Sequence, residues 1–202
     1  MEVIEMMETC NAVRYLKPDP IPDELLERVI YAATRAPSPG NSQGWDFVVV
    51  RDQALKQKIG ELIGPGFQSL MATMPAPKTP VERRMRDSAA HLASSLSDAP
   101  AIIFVCGAPS YPAAAPNELF VWSALYPATQ NLLVAARSLG LGTTMTTFHM
   151  LAENQIKELL GIPSAVKFAA MVPIGWPARP FAKVTRKPIA KVIHWDKWNA
   201  HS

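Results

Sequence analysis

The chain has 202 residues, of which 49% are hydrophobic and 18% are charged, and its formal net charge is +3. This length and composition can bury a sizeable core, and we predict a single domain over residues 1–202. The weak positive charge, without a basic block interleaved with aromatics, argues against a nucleic-acid partner, and no apolar run is long enough to span a membrane.

The first third of the chain predicts two helices and a strand. Residues 2–10 favour a short helix, and closely spaced prolines then force an extended run. A second helix begins near Asp23, with apolar residues at a spacing of 3.6, and Pro37 ends it. The run Phe47–Val50 has no polar alternation, which is typical of a strand that is covered on both faces.

The middle third predicts two helices, a long loop and a second strand. Asp52 is a suitable cap for a helix whose inward residues end at Ile63. Glycines and prolines interrupt the apolar stretch 64–80, so we predict a loop there, either a lid or partner-contact segment or a disordered excursion. A charged helix over Val81–Ser97 and a buried strand over Ala101–Cys106 follow.

The last third completes an α+β pattern. The segment Glu118–Leu139 is hydrophobic nearly all round and predicts a central helix. Thr143–Thr147 is β-prone, and a short helix is expected near residues 153–160. Strands are predicted at Lys167–Pro173 and Ile189–Trp195. We therefore predict an α+β fold in which helices flank a mixed central sheet of four or five strands.

Cysteine and histidine positions exclude some classes of site. Cys10 and Cys106 are far apart and form no CxxC pair, which fits a reducing compartment. The acidic start of the chain lacks the positive charge of a signal peptide, and we expect a cytoplasmic protein. The four histidines share no metal-ligand spacing, so we expect no metal site.

Residue patterns alone leave the chemistry open. The chain has no GxGxxG, P-loop, GxSxG or HExxH motif. Polar residues in the stiff connector Ser38–Gln43 suit a small-molecule site, although ordinary turn chemistry explains them equally well. Cations at opposite ends of the chain, Arg14 and Arg186–Lys187, either neutralise one phosphate together or belong to the solvated surface.

Six short blocks span nearly the whole chain. They are Asn-Ala-Val-Arg at 11–14, Pro-Ile-Pro-Asp-Glu-Leu at 20–25, Ala-Pro-Ser-x-x-Asn-Ser-Gln-x-Trp-x-Phe-Val-Val at 36–49, Ala-Ala-Arg-Ser-Leu-Gly-Leu-Gly-Thr-Thr at 135–144, Pro-Ile-Gly-Trp-Pro at 173–177 and Arg-Lys-Pro at 186–188. In this order they resemble the FMN-dependent nitroreductase family. The Pro-Ser-x-x-Asn-x-Gln block is the most specific of them. The resemblance implies a homodimer with two FMN sites at the subunit interface and a domain-swapped C-terminal segment.

The resemblance also implies a set of cofactor-binding residues. They are Cys10, Asn11, Ala12, Arg14, Pro37, Ser38, Asn41, Gln43, Met145, Thr146, Thr147 and Arg186. The turn at 10–14 and Arg186 would hold the phosphate and the pyrimidine edge of the flavin. The 37–41 loop would reach the flavin of the other subunit, with Gln43 supporting that loop. The Thr147 amide would lie near N5, and no catalytic side chain is needed because the flavin does the redox work.

The implied activity is an FMN-dependent oxidoreductase. It would take a hydride from NADPH or NADH and pass electrons to a flat electron-poor acceptor, a nitroaromatic or a quinone, by a ping-pong mechanism. Phe67 and Met71 on one side, and Phe120 and Trp122 on the other, are candidates for the acceptor slot, although each suits core packing as well. The alternatives are a flavin-binding protein without turnover and a reductive dehalogenase or flavin-cleaving relative on the same scaffold.

One block departs from the family pattern. The family usually carries Arg-Arg-Ser or Arg-His-Ser where this chain has Cys10-Asn11-Ala12. Losing a charge-assisted contact costs about 1.5–3 kcal/mol. We therefore expect either weaker FMN binding or compensation by Lys183, Arg186 or Lys187. Cys10 itself is either a redox-sensitive thiol or a small buried residue.

Overall fold

Helices cover both faces of a five-stranded sheet in the computed structural model of the chain, which describes residues 2–198. The helices are α1 (Val3–Thr9), α2 (Asp23–Ala33), α3 (Gln53–Thr73), α4 (Pro80–Ser94), α5 (Glu118–Ser138) and α6 (Glu153–Leu160). The strands are β1 (Leu16–Lys17), β2 (Asp46–Val50), β3 (Ala101–Gly107), β4 (Gly142–Thr143) and β5 (Lys167–Pro177). The predicted α+β class is confirmed.

The sheet has the strand order β1-β5-β3-β2, and β4 also pairs with β5. Ile174 lies opposite both Ala101 of β3 and Thr143 of β4, so β4 occupies the edge of β5 that faces away from β3. All these pairings are antiparallel, so the expectation of a mixed sheet is wrong. The physical reason is that α3 and α4 together carry the chain away from the sheet and back, which brings Ile102 opposite Val50.

Two hydrophobic cores lie on the two faces of the sheet. Alternation along β3 divides them, since successive side chains of a strand point to opposite faces. Ile103 and Val105 belong to the core under α2 and α5, whereas Ile102 and Phe104 belong to the core under α3 and α6. All seven residues of β3 are buried, which explains why its sequence is an unbroken apolar run.

The predicted loop over 64–80 is wrong, because α3 continues to Thr73. Pro65 lies inside this helix, where a proline costs roughly 3 kcal/mol. Ile63 and Phe67 are both buried in the adjacent core, and each contributes about 1.5–3 kcal/mol. Gly66 also lets the helix lie close to Leu151, since a Cβ there would be 3.0 Å from the Leu151 Cβ. Packing therefore outweighs the local break.

The predicted strand over Ile189–Trp195 is also wrong. Residues Ile189–Lys191 form a short 3₁₀ turn instead, and Trp195 is 74% exposed. An extended segment gains ladder hydrogen bonds only against a free sheet edge, and this segment pairs with no strand in the described part of the chain. Its apolar residues consequently remain at the surface.

The strand β2 is only partly covered, although its sequence predicts cover on both faces. It lies at the edge of the sheet, and Phe47, Val48 and Val49 are half-buried. The apolar residues Val3 and Ile4 of α1 are similarly exposed, at 64% and 67%. Within residues 2–198, none of the helices combines the length and apolar character needed to cross a bilayer.

A close backbone contact joins the connector before β2 to the end of β3. A Cβ on Gly107 would lie 1.9 Å from the Gly44 carbonyl oxygen, so a larger residue must displace the backbone. We expect Gly107→Ala to lower the free energy of unfolding by about 1–3 kcal/mol. The matched control is Gly60→Ala in α3, where a Cβ meets nothing within 4 Å.

A Gly→Ala substitution in the interior of a helix raises the free energy of unfolding by about 0.5–1 kcal/mol where the new methyl group meets no neighbour. Urea unfolding followed by circular dichroism measures both variants. Equal unfolding midpoints for the two would show that the Gly44 contact does not constrain residue 107.

Candidate functional site

The turn at residues 11–14 is fixed to the edge of the sheet. The Val13 amide donates to the Thr143 carbonyl at 2.9 Å, and the Thr144 hydroxyl donates to the Val13 carbonyl at 2.6 Å. Val13 can lie this close to the sheet because residue 142 is a glycine, since a Cβ there would be 2.7 Å from Val13 Cγ1. The fold thus brings together two of the polar segments that the sequence singles out, the turn around Arg14 and the segment 143–147.

The segment after β4 alternates between buried and exposed side chains. Thr146 exchanges backbone hydrogen bonds with Met171 at 2.9 and 3.0 Å, and its hydroxyl donates to the Met171 carbonyl. Thr144 and Thr146 are therefore buried, whereas Met145 and Thr147 are exposed. Of the predicted contacts in this segment, Met145 and Thr147 are therefore accessible at the surface, whereas the Thr146 side chain bonds to the sheet.

Arg14 is a half-buried cation without a carboxylate partner among residues 2–198. Its Nη1 lies 3.4 Å from the Ser88 hydroxyl, which is a long hydrogen bond. Burial lowers the pKa of the guanidinium, which nevertheless stays charged at neutral pH. A desolvated charge with so little compensation favours an anionic or strongly polar ligand beside it.

Asn11, in the same turn, carries a buried acceptor that lacks a donor. Its Oδ1 has no hydrogen-bond partner, and the only other such side-chain atom among the described residues is His149 Nδ1. His149 lies edge-on to Phe168 in the core, where burial lowers the pKa of the imidazole and keeps it neutral. Asn11 differs because it adjoins Arg14, where a ligand hydroxyl or N–H could supply the missing donor.

The C-terminal segment returns to the N-terminal helix. The Ala178 amide donates to the Tyr15 carbonyl at 2.9 Å, and the Val184 amide donates to the Glu8 carbonyl at 2.8 Å. Lys183 forms an ion pair with Glu8 at 3.3 Å. Arg186 lies three residues after Lys183, is exposed, and within residues 2–198 donates only to the neighbouring Thr185 carbonyl. Both ends of the chain therefore meet beside the turn, although Arg186 itself does not touch it.

Arg137 is a residue that sequence reasoning missed. It lies in the last turn of α5, and its Nε donates to the Thr9 hydroxyl at 3.0 Å. It also affects Cys10: burial raises the pKa of the thiol, and the charge of Arg137 lowers it by a smaller amount. The thiol of this half-buried residue therefore stays protonated at neutral pH. The available signal was that Arg137 is the only cation in an otherwise apolar helix.

The loop at residues 37–43 is held by its own polar side chains. Ser38 Oγ accepts from the Gln43 amide at 2.7 Å, and Gln43 Nε2 donates to Asn41 Oδ1 at 3.3 Å. Asn41 and Gln43 adopt positive φ angles of 51° and 48°. Gln43 thus supports the loop, and ordinary turn chemistry accounts for most of these contacts.

This loop lies far from Arg14 within one chain. Gly40 packs on the ring of Tyr111, which meets Phe120 edge-on at 5.3 Å, so Phe120 belongs with this loop. The loop leads into β2, whereas the segment 143–147 runs along the opposite edge of the sheet. Three strand spacings of about 4.8 Å separate the two edges, which is about 14 Å. Within one chain the two groups of predicted residues therefore lie at opposite edges of the sheet.

A groove of about 530 Å³ runs between α3 and α4 and includes Arg14. Phe67 and Met71 line it, and Phe67 meets Phe148 at 5.2 Å. Trp122 packs instead against the core on the other face of the sheet. The predicted slot formed by Phe67 and Met71 with Phe120 and Trp122 is therefore not assembled within one chain.

Known proteins resemble this chain along most of its length. A protein from Archaeoglobus fulgidus named "Putative NADH dehydrogenase/NAD(P)H nitroreductase" is 29% identical over 201 residues, which cover 98% of this chain and 99% of that protein. Iodotyrosine deiodinase 1 of Rattus norvegicus is 28% identical over 182 residues, covering 88% of this chain and 63% of that protein.

A solved structure has the same fold. The crystal structure of oxidized iodotyrosine deiodinase bound to FMN and 3-iodo-L-tyrosine superposes with a TM-score of 0.80 at 21% identity, covering 98% of this chain and 100% of that chain. A sequence model of the nitroreductase family matches residues 11–176. The chain therefore belongs to the nitroreductase family, whose members are flavoprotein oxidoreductases.

Proposed function

We propose that this chain is an FMN-dependent oxidoreductase that takes a hydride from NADPH or NADH and reduces a flat, electron-poor acceptor by a ping-pong mechanism. The observation that carries the proposal is Arg14, a half-buried cation without a carboxylate partner in residues 2–198. It lies in the turn that hydrogen bonds join to Thr143 and Thr144. When bound, FMN supplies the redox chemistry, with a nitroaromatic or a quinone as the final acceptor.

The residues around Arg14 fit such a cofactor chemically. FMN carries an anionic phosphate, ribityl hydroxyl donors and a pyrimidine edge of mixed donors and acceptors. Arg14 offers guanidinium donors, and the buried Asn11 Oδ1 needs a donor. Met145, which is 48% exposed, offers an apolar surface against which a flat ring can lie. Charge, hydrogen-bonding capacity and shape therefore agree.

Each residue then has a defined task. Arg14 holds the pyrimidine edge and stabilises negative charge there, while the turn at 10–12 and Arg186 lie on the phosphate side. The segment 145–147 supports the ring and offers the Thr147 amide as a donor. We assign no side chain as a general acid or base, because cofactor and solvent can exchange the protons.

Absorption spectroscopy tests the proposal directly. The purified chain should be yellow and should bleach on anaerobic addition of NADPH or NADH. Arg14→Gln should raise the dissociation constant for FMN about ten- to hundred-fold, since a charge-assisted hydrogen bond contributes about 1.5–3 kcal/mol. Arg84→Gln is the matched control, because Arg84 is exposed on α4 and does not line the groove.

A chain that binds no flavin would contradict the proposal. A yellow chain that neither nicotinamide bleaches would instead indicate a flavin-binding protein without turnover.

We further propose that the functional unit is a homodimer. The 37–43 loop and the Arg14 turn lie on opposite edges of one sheet, so a site that uses both needs a second copy. The edge strand β2 has a free side, and the C-terminal segment exposes Ile189 and Trp195, each by 74%. Exchange of this segment between two copies, onto β2 of the partner, would cover both surfaces.

Sedimentation tests the dimer. The chain should sediment at twice its mass of 22.1 kDa. Trp195→Ser should shift the equilibrium toward monomer and weaken FMN binding in parallel, because the apolar contact and the second copy are lost together. Val81→Ser removes an exposed apolar residue from α4 and should leave the dimer intact. A monomer that retains FMN at micromolar concentration would contradict this proposal.

The groove between α3 and α4 indicates the kind of acceptor. Glu82 is its only acidic residue, and its Oε2 already accepts from the Lys78 and Thr79 amides at 2.6 and 3.2 Å. Arg86 donates to the Met71 and Pro75 carbonyls at 2.6 and 3.1 Å. These two charges are satisfied by the protein, and Arg14 is assigned to the cofactor, so we expect the groove to favour a neutral aromatic acceptor over a zwitterionic amino acid such as a halotyrosine.

Anaerobic reoxidation of the reduced protein tests this preference. We expect fast reoxidation by 1,4-benzoquinone and nitrobenzene and at least ten-fold slower reoxidation by 3-iodo-L-tyrosine. Met71→Ser should raise the KM for the neutral acceptors several-fold, because it removes apolar contact area. Leu119→Ser, an exposed position on α5, is the control. Faster reaction with 3-iodo-L-tyrosine would favour the dehalogenase alternative.

A further inference from the structure

Arg137 is oriented by two contacts that leave its terminal nitrogens free. The Nε donates to the Thr9 hydroxyl at 3.0 Å, and the guanidinium carbon lies 3.9 Å from the centre of the Phe181 ring. In the described part of the chain neither Nη atom donates to another group, and no carboxylate forms an ion pair with Arg137. Four N–H donors in a planar fork therefore remain available.

Arg137 lies beside the turn at 10–12, and its terminal nitrogens are unused in the described part of the chain. Lys183 is paired with Glu8, and Arg179 stacks on Tyr15 at 3.7 Å. Arg186, which the proposed function also places on the phosphate side, is exposed and is held only by the adjacent Thr185 carbonyl in the described part of the chain. The turn itself, Cys-Asn-Ala, contributes no charge. Arg137 alone combines partial burial, a fixed orientation and unused donors next to Thr9 and Cys10.

A partly buried guanidinium without an acidic partner is costly unless a ligand compensates it. We infer that Arg137 binds the phosphate group of FMN, with its free guanidinium edge toward the turn at 10–12. The inference rests on the proposed function and adds a residue to it. A planar fork matches a phosphate through two parallel hydrogen bonds, and Phe181 and Thr9 hold that fork in place before the ligand arrives.

The flavin's own chemistry provides a sharp test, since riboflavin lacks only the phosphate of FMN. Dissociation constants for both flavins are measured by fluorescence quenching of the flavin on the dialysed protein. Arg137→Met keeps the apolar stem against Phe181 and removes the charge. It should weaken FMN binding about ten- to hundred-fold and change riboflavin binding by less than about two-fold.

Two further variants test whether the charge and the planar shape of the Arg137 guanidinium cause the expected loss of FMN affinity. Arg137→Lys keeps a positive charge without the fork, so it should recover part of the FMN affinity. Arg84→Met removes an exposed charge from α4 and should leave both flavins unaffected. Inorganic phosphate should compete with FMN on the wild-type chain and should compete less on Arg137→Met.

The possible failures are distinguishable. A wild-type chain that binds neither flavin contradicts the proposed function, and this inference falls with it. If the wild type binds FMN but Arg137→Met leaves its affinity unchanged, only the role of Arg137 is overturned. The same holds if FMN and riboflavin weaken equally, or if Lys and Met weaken FMN binding equally, because Arg137 would then support the fold alone.

Discussion

The docking of Val13 on the β4–β5 edge is the constraint on which the candidate site depends. Two hydrogen bonds tie Val13 to Thr143 and Thr144, and the contact is possible only because Gly142 has no side chain. Gly175 does the same for the neighbouring strand β1, since a Cβ there would lie 3.2 Å from the Leu16 Cβ. These close approaches fix the turn that holds Asn11 and Arg14 against a rigid sheet, and not on a mobile loop.

The antiparallel sheet separates the functional groups as much as it positions them. Residues near Arg14 lie at one edge, and the 37–43 loop lies at the other, beyond β5 and β3. The same edge strand, β2, is incompletely covered, and the C-terminal segment has apolar residues without cover. One missing element, a second copy, would satisfy the exposed edge, the exposed side chains and the divided site at once. Because these three features are independent of one another, together they support a dimer more strongly than any one of them does alone.

Sequence patterns predicted the elements that are governed by local rules. The helix at Glu153–Leu160 and the buried strand at Ala101–Gly107 follow from periodicity and glycine or proline boundaries. Sequence reasoning failed where tertiary contacts decide. Pro65 does not end α3, because burial of Ile63 and Phe67 repays its cost, and Ile189–Trp195 forms no strand, because pairing needs a neighbouring edge.

The residues of the candidate site also differ in whether the sequence alone could predict them. Arg14 and its turn are visible in the sequence as a motif. Arg137 is separated from Thr9 by 128 residues and is joined to it only by folding, so no local pattern could place it there.

Charged side chains in this chain fall into two groups according to whether the protein itself satisfies them. Glu82 and Arg86 direct their hydrogen bonds to backbone groups of α3 and of the 74–79 connector, so the protein itself satisfies both charges. Arg14 and Arg137 are half-buried and lack acidic partners in the described chain. On the proposed function, ligand binding offsets that cost, and we therefore propose that these two half-buried arginines lie on the side of the site that holds an anionic group.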